Sequence, residues 1–225
     1  MQHRERERNM GVVLGETRGR EDEKAAATLV DPGHLEVERA ALQSFVAEMG
    51  GTVECLLFTG EPEYSDMVEW PEARFITPTT RGEEQSVTRL ASEWEVRTLS
   101  QGSYIGLYVR KERVLFCGDM LRKGVIPTLR HGTQNYLDAL DAIEGMEVRL
   151  ALPMWGAEAR GKREIKARIE HDRSYAMSVL RHVLTSRAAH VPLERVLEVA
   201  AQIYEDYPDL ELHLRNIRYA WEEMG

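Results

Sequence analysis

The sequence predicts an α/β fold that ends in a purely helical tail, on three observations. Short apolar runs of strand length alternate with amphipathic helical stretches as far as Pro153. Turn signals rich in Pro, Gly and charged residues separate those runs. From Glu164 onward the apolar residues recur only at helical spacing. At 225 residues the chain is long enough for one ordinary domain with a formed core plus a helical appendage. The expected organisation is a frayed N-terminal segment over 1–10, an α/β domain over 11–160 and a helical subdomain over 161–225.

Residues 1–9 and much of 17–24 are charged or polar and read as solvated segments around a short strand at Gly11 to Gly15. Ala25 to Val30 is a second strand, stopped by Asp31-Pro32-Gly33, where Pro fixes φ and Gly supplies a positive φ. Val37, Ala40, Ala41, Phe45, Val46 and Met49 then recur at helical spacing, and Gly50-Gly51 closes that helix. Val53 to Phe58 reads as a buried strand, followed by a polar loop from Thr59 to Asp66 and a short strand at Arg74 to Thr77. Trp94 to Leu99 alternates apolar and polar residues, and Tyr104 to Val109 with Arg113 to Cys117 forms a hairpin around Arg110-Lys111-Glu112. Tyr136 to Ile143 is an amphipathic helix, and Val148 to Leu152 a last strand. In the tail Ile165, Ile169, Ala176, Val179, Leu180 and Val183 mark one helix. Leu193 to Ile203 marks a second and Leu212 to Trp221 a third, with Pro192 and Pro208 at their boundaries.

Charge narrows the function classes. Lys and Arg total 29 against 38 Asp and Glu, a formal charge of -9, so the field of the whole molecule repels polyanions and nucleic acid is not expected as the main partner. Cys55 and Cys117 are too few for a multi-thiolate metal site or a disulfide framework, and both lie in apolar strands. No apolar run approaches the ~20 residues that span a bilayer, and the N-terminal residues are charged, so a soluble cytoplasmic protein with no membrane association is expected. The seven histidines, His3, His34, His131, His171, His182, His190 and His213, are scattered.

Three landmarks then carry a resemblance over roughly residues 11–225. Leu29-Val30-Asp31-Pro32-Gly33, Val114-Leu115-Phe116-Cys117-Gly118-Asp119-Met120-Leu121 and Ala151-Leu152-Pro153-Met154-Trp155-Gly156 occur in order, with compatible strands and helices between them. Together they resemble the metallo-β-lactamase superfamily. That resemblance implies a four-layer αββα sandwich over 11–160, with metal at the edge where strand-end loops converge, and a helical tail as in superfamily hydrolases of esters, thioesters or nucleic acids. Active members carry a His-x-His-x-Asp-His run, two further histidines and the Gly-Asp aspartate; together these hold two zinc ions, which lower the pKa of a bridging water and polarise the scissile bond. Here the run corresponds to Thr59-Gly60-Glu61-Pro62-Glu63-Tyr64-Ser65-Asp66, the later histidine positions fall on Leu99 and Trp155, and only Asp119 keeps its type.

Two functional expectations follow. The first is a hydrolase homologue, a pseudoenzyme with a degenerate metal site, that has lost its zinc ligands, binds no cofactor and serves binding or assembly with a small molecule or protein. The second is an unconventional metal-dependent hydrolase of an ester, thioester or phosphoester. In it Glu61, Glu63 and Asp66 reproduce the spacing of the lost run and, with Asp119, hold a hard divalent cation such as Mg²⁺, Mn²⁺ or Ca²⁺ rather than zinc.

Other residues keep two readings each. Asp119 either joins a catalytic or metal site or accepts backbone hydrogen bonds at its strand end. His131 either contacts a ligand beside the Gly-Asp strand or is a plain loop histidine. Asp31 is expected to cap its turn, and Cys117 to be a buried hydrophobe rather than a reactive thiol. Arg160, Lys162, Arg163, Lys166 and Arg168 form a basic cluster that either docks an anion or is a solvated helix face compensated by neighbouring acids. A homo-oligomer built on Leu212, Ile217 and Trp221 is a further possibility.

Overall fold

A computed structural model of the chain describes residues 9–14, 25–32, 35–59, 70, 72–77, 87–91, 94–100, 104–203 and 209–225. The first half builds β1 (Gly11–Leu14), β2 (Ala25–Val30), α1 (Glu36–Glu48), β3 (Gly51–Leu57) and β4 (Arg74–Ile76). These strands form one sheet in the order β1-β2-β3-β4, with β1 antiparallel to β2 and the other pairs parallel. The second sheet comprises β5 (Val87–Ala91), β6 (Trp94–Ser100), β7 (Tyr104–Val109), β8 (Val114–Gly118), β9 (Leu150–Pro153) and β10 (Ala159–Arg160). Its order is β10-β9-β8-β7-β6-β5, antiparallel except at β8/β9. Between β8 and β9 the chain makes α2 (Thr133–Glu144), and after β10 it continues as α3 (Gly161–Ala188), α4 (Leu193–Ile203) and α5 (Leu210–Glu223).

The period-2 alternation of each strand sorts its residues into layers. Cys55 and Leu57 of β3 meet Ile105, Leu107 and Val109 of β7 and Phe116 of β8 in a core between the two sheets. The intervening residues of the same strands turn outward. Leu29 and Leu56 pack with Val46 of α1, while Tyr104, Tyr108, Leu115 and Cys117 pack with Leu140 of α2 and Ile169 of α3. Three apolar interfaces separate four layers, the αββα arrangement that the resemblance implied. The last of them runs from Leu99 to Ala220, so α3, α4 and α5 share a core with α2 and the second sheet.

Elements differ from the sequence reading in three places. Two strands were not expected: β5 and the two-residue β10, both edge strands defined by pairing with a neighbour rather than by their own pattern. In α1 the helical spacing did not identify the buried face. Val46 and Arg39 are buried, whereas Val37, Phe45 and Met49 lie exposed on a stripe that points away from β3. In the tail, Ile217 is fully buried within the chain's own core, and the Arg187 guanidinium covers the ring of half-buried Trp221 at 4.6 Å. No helix among the described residues is long and apolar enough to cross a membrane.

Candidate functional site

Strand-end loops converge at the C-terminal ends of β2, β3, β8 and β9, and the residues there are fixed by hydrogen bonds rather than by contact alone. Asp31 follows β2 at φ 46°, a left-handed conformation that Asp tolerates better than most residues. Its buried carboxylate accepts from the Thr59 backbone N–H at 2.8 Å and from the Thr59 hydroxyl at 2.6 Å, so it pins the start of the loop after β3. The expected role was to cap its own turn; these two bonds hold the neighbouring loop. Gly118 ends β8 at φ +61°, and a Cβ there would lie 2.7 Å from Thr59 Oγ1, so both backbone and space demand glycine. Its carbonyl accepts from the Met154 N–H at 2.6 Å, which ties the β8 and β9 ends together. Asn9 closes the same edge from outside, donating its side-chain amide to the carbonyls of Pro153 and Gly156 at 2.7 Å each.

Inside this frame Asp119 and His131 face one cavity of about 20 Å³, lined also by Thr59, Tyr104, Arg130 and Met154. A space of that size holds about one water molecule. Asp119 is half-buried, and among the described residues its side chain accepts no hydrogen bond and makes no ion pair. The expected backbone capping at the strand end therefore belongs to Asp31 and not to Asp119. His131 is held on three sides: Arg130 Nε donates to its Nε2 at 2.8 Å, the Tyr104 ring meets it edge-on at 5.4 Å, and Asn135 donates to its carbonyl at 2.7 Å. Accepting at Nε2 places the proton of the neutral ring on Nδ1. Burial pushes the Tyr104 phenol well above its ordinary range, so it stays protonated.

Behind the cavity lies a buried polar knot that the sequence reading missed. Arg168 of α3 donates to the carbonyls of Leu121 at 2.9 Å, Ala157 at 2.7 Å and Glu158 at 2.6 Å, and to Glu164 at 2.7 Å. One turn on, Asp172 accepts from the Leu121 N–H at 3.2 Å and from the Tyr136 hydroxyl at 2.6 Å. Burial raises the Asp172 pKa, opposed by those two hydrogen bonds. The signal was present in the helical spacing, because Arg168 and Asp172 fall on the same face as Ile165, Ile169 and Ala176. Two charges on an apolar stripe mark an internal hydrogen-bonded network, in which one Asp172 oxygen takes both bonds and the other, Oδ1, takes none among the described residues. The five-residue basic cluster is therefore divided. Arg168 is a buried structural residue, Arg160 pairs with Glu158 at 2.9 Å, and Lys166 pairs with Glu170 at 3.7 Å.

Among the described residues, neither position on which the resemblance places a further histidine offers a metal ligand. Leu99 is 2% exposed in the core beneath Tyr104 and cannot coordinate. Trp155 is half-buried in the loop after β9, and an indole offers only a donor. No group of three or more His, Cys, Asp or Glu capable of holding a metal ion occurs among the described residues. Glu61, Glu63 and Asp66 lie outside the described residues. Both thiols are buried and held in their protonated form: burial raises Cys55 to about 11 and pushes buried Cys117 higher still, and Cys117 Sγ donates to the Met120 carbonyl at 3.5 Å.

No family model and no curated protein matches the chain. Solved structures do. A metallo-β-lactamase family protein of Thermus thermophilus superposes with a TM-score of 0.57 at 14% identity, over 96% of this chain and 93% of that one. The chain has the metallo-β-lactamase fold. The DIM-1 metallo-β-lactamase matches with a TM-score of 0.52 at 14% identity, over 76% of this chain and 94% of its own. A putative diflavin flavoprotein fragment of Nostoc sp. PCC 7120 matches with a TM-score of 0.56 at 10% identity, over 76% and 82%. The 96% coverage by the Thermus protein takes in most of the helical tail as well as the sandwich.

Proposed function

We propose that this chain is a metallo-β-lactamase-fold, hydrolase-like protein that does not perform two-zinc hydrolysis and instead serves as a binding or assembly module. The observation that carries this reading is the cavity beside Asp119. It holds about 20 Å³, and Tyr104, Arg130, His131, Thr59 and Met154 occupy its walls. Two metal ions, a bridging water and a substrate carbonyl need far more room than one water. Leu99 supports the same reading, since its side chain belongs to the apolar core and not to the loops.

A second reading rests on Asp119 itself. A half-buried carboxylate with no hydrogen-bond partner among the described residues is a ready ligand for a hard cation, with Glu61, Glu63 and Asp66 as its partners in a carboxylate-rich hydrolase. The two readings separate in one experiment. Protein purified without chelator and offered Mn²⁺ and Mg²⁺ is assayed for bound metal and for turnover of aryl ester, acyl thioester and aryl phosphodiester substrates. The first reading expects no stoichiometric metal and no turnover above background. A tightly held ion, lost together with turnover in Asp119→Asn, establishes the second reading and discards the first.

A further inference from the structure

At the opposite end of β8 and β9 from Asp119 a cleft of about 920 Å³ opens, within the size range of small-molecule sites. The five residues of β8 separate the two places by about 17 Å at ~3.3 Å per residue. Ile143, Met146, Val148, Ile165 and Ile169 form its apolar floor, where the end of α2 meets the first turns of α3. Its rim is tied together by the backbone. The Arg149 N–H donates to the Arg113 carbonyl at 2.8 Å, and the Gly161 N–H donates to the Arg149 carbonyl at 2.7 Å, so the entry to β9 and the start of α3 are held in register.

The charges of the rim do not cancel. Both acids in the lining are already engaged, Glu147 by Arg113 at 3.3 Å and Glu144 by Arg173 at 2.8 Å, and Lys166 is engaged by Glu170 at 3.7 Å. Arg149 and Lys162 also line the cleft, and neither has an ion-pair partner among the described residues. Two uncompensated cations over an apolar floor are unexpected in a chain of net charge -9. They complement one kind of occupant, a molecule with an anionic head and an apolar body. The acidic whole disfavours an extended polyanion, and a recessed floor suits a single soluble molecule better than a flat lipid surface.

We propose that this cleft binds a small amphiphilic anion, a carboxylate or phosphate monoester with a short apolar chain, with Arg149 and Lys162 holding the head and half-buried Met146 facing the chain over the packed Ile165 and Ile169. The site is separate from the Asp119 cavity and stands whichever function that cavity has.

The test is a calorimetric titration of the full chain with monomeric octyl phosphate, with inorganic phosphate, octanol and vesicles of anionic phospholipid run in parallel. Saturable one-to-one binding of octyl phosphate is expected, with octanol and inorganic phosphate each weaker by about tenfold or more, since a charge-assisted contact and an apolar contact each contribute at least ~1.4 kcal/mol. Arg149→Ala combined with Lys162→Ala loses about tenfold or more in affinity, with an unchanged circular dichroism spectrum because both side chains are exposed. Arg149→Lys with Lys162→Arg keeps the charge and retains most of the binding, and Asp119→Asn leaves it unchanged. Absence of saturable binding, equal binding by the double alanine variant, inorganic phosphate as tight as octyl phosphate, or binding to vesicles alone would each overturn the proposal.

Discussion

The two ends of the β8/β9 pair make opposite use of the same strands. At the C-terminal end, Asp31, Gly118, Asn9 and Arg168 fasten four loops to one another and leave about 20 Å³ beside Asp119. At the N-terminal end, the connection from α2 to β9 and the start of α3 part over an apolar floor and leave about 920 Å³. Arginine shows the contrast most directly. Arg168 is buried, with three carbonyls and a carboxylate around it, whereas Arg149 is exposed with no ion-pair partner among the described residues. A guanidinium whose two terminal nitrogens are spent within the fold holds loops, and one whose donors are open is available to a ligand.

Four measurements break or sharpen that contrast. The largest effect is expected from Gly118→Ala, which puts a Cβ 2.7 Å from Thr59 Oγ1 at φ +61°. Strain and overpacking together should cost roughly 3–4 kcal/mol in chemical denaturation; a loss below ~1 kcal/mol would mean that the closed end is loosely held. Arg168→Met leaves the Leu121, Ala157 and Glu158 carbonyls without their donor. A loss of roughly 2–3 kcal/mol is expected from the same assay, and near-neutral behaviour would remove the claim that this arginine fastens the loops.

The third measurement is a pH dependence. The Asp172 carboxyl titrates above its ordinary 3.8 when folded, because burial disfavours its charged form. The folded chain therefore binds this proton more tightly than the unfolded chain, and the stability linked to it is full below about 3.8 and lost as pH rises through the raised value. The stability of the wild-type chain should accordingly fall relative to that of Asp172→Asn over that interval, read as a fall in the difference between their denaturation midpoints. A constant difference would show that Asp172 is ordinarily ionised. The smallest effect belongs to the open end, where Arg149→Ala and Lys162→Ala should each change stability by less than about 0.5 kcal/mol. A larger loss would mean that these cations hold the fold and are not free for a ligand.

Much of the fold was legible because strands and helices announce themselves by period. Tyr104 to Val109 was read with the bounds observed, and the alternation within it assigned Ile105, Leu107 and Val109 to one face and Tyr104 and Tyr108 to the other. Where the local pattern is weak or points both ways it failed: β10 exists only because it pairs with β9, and the apolar stripe of Val37, Phe45 and Met49 marks the exposed side of α1. The candidate site was half legible. The Gly-Asp landmark located Asp119 and the loop after it located His131, and the fold brings the two to one cavity. Arg130 and Tyr104, which hold His131, were invisible, since contacts between β7 and the loop before α2 have no local periodicity to betray them.

By itself the sequence determined the layered α/β order, the helical tail and the resemblance to the metallo-β-lactamase superfamily, because these depend on residue type and spacing along the chain. Tertiary structure decided which charges are spent inside the fold and which remain open. Five cations within nine residues read alike in sequence, yet packing buries Arg168 among carbonyls and leaves Lys162 with Arg149 in the lining of a cleft. Burial and pairing are set by what the rest of the chain brings alongside a residue, and that is a three-dimensional fact.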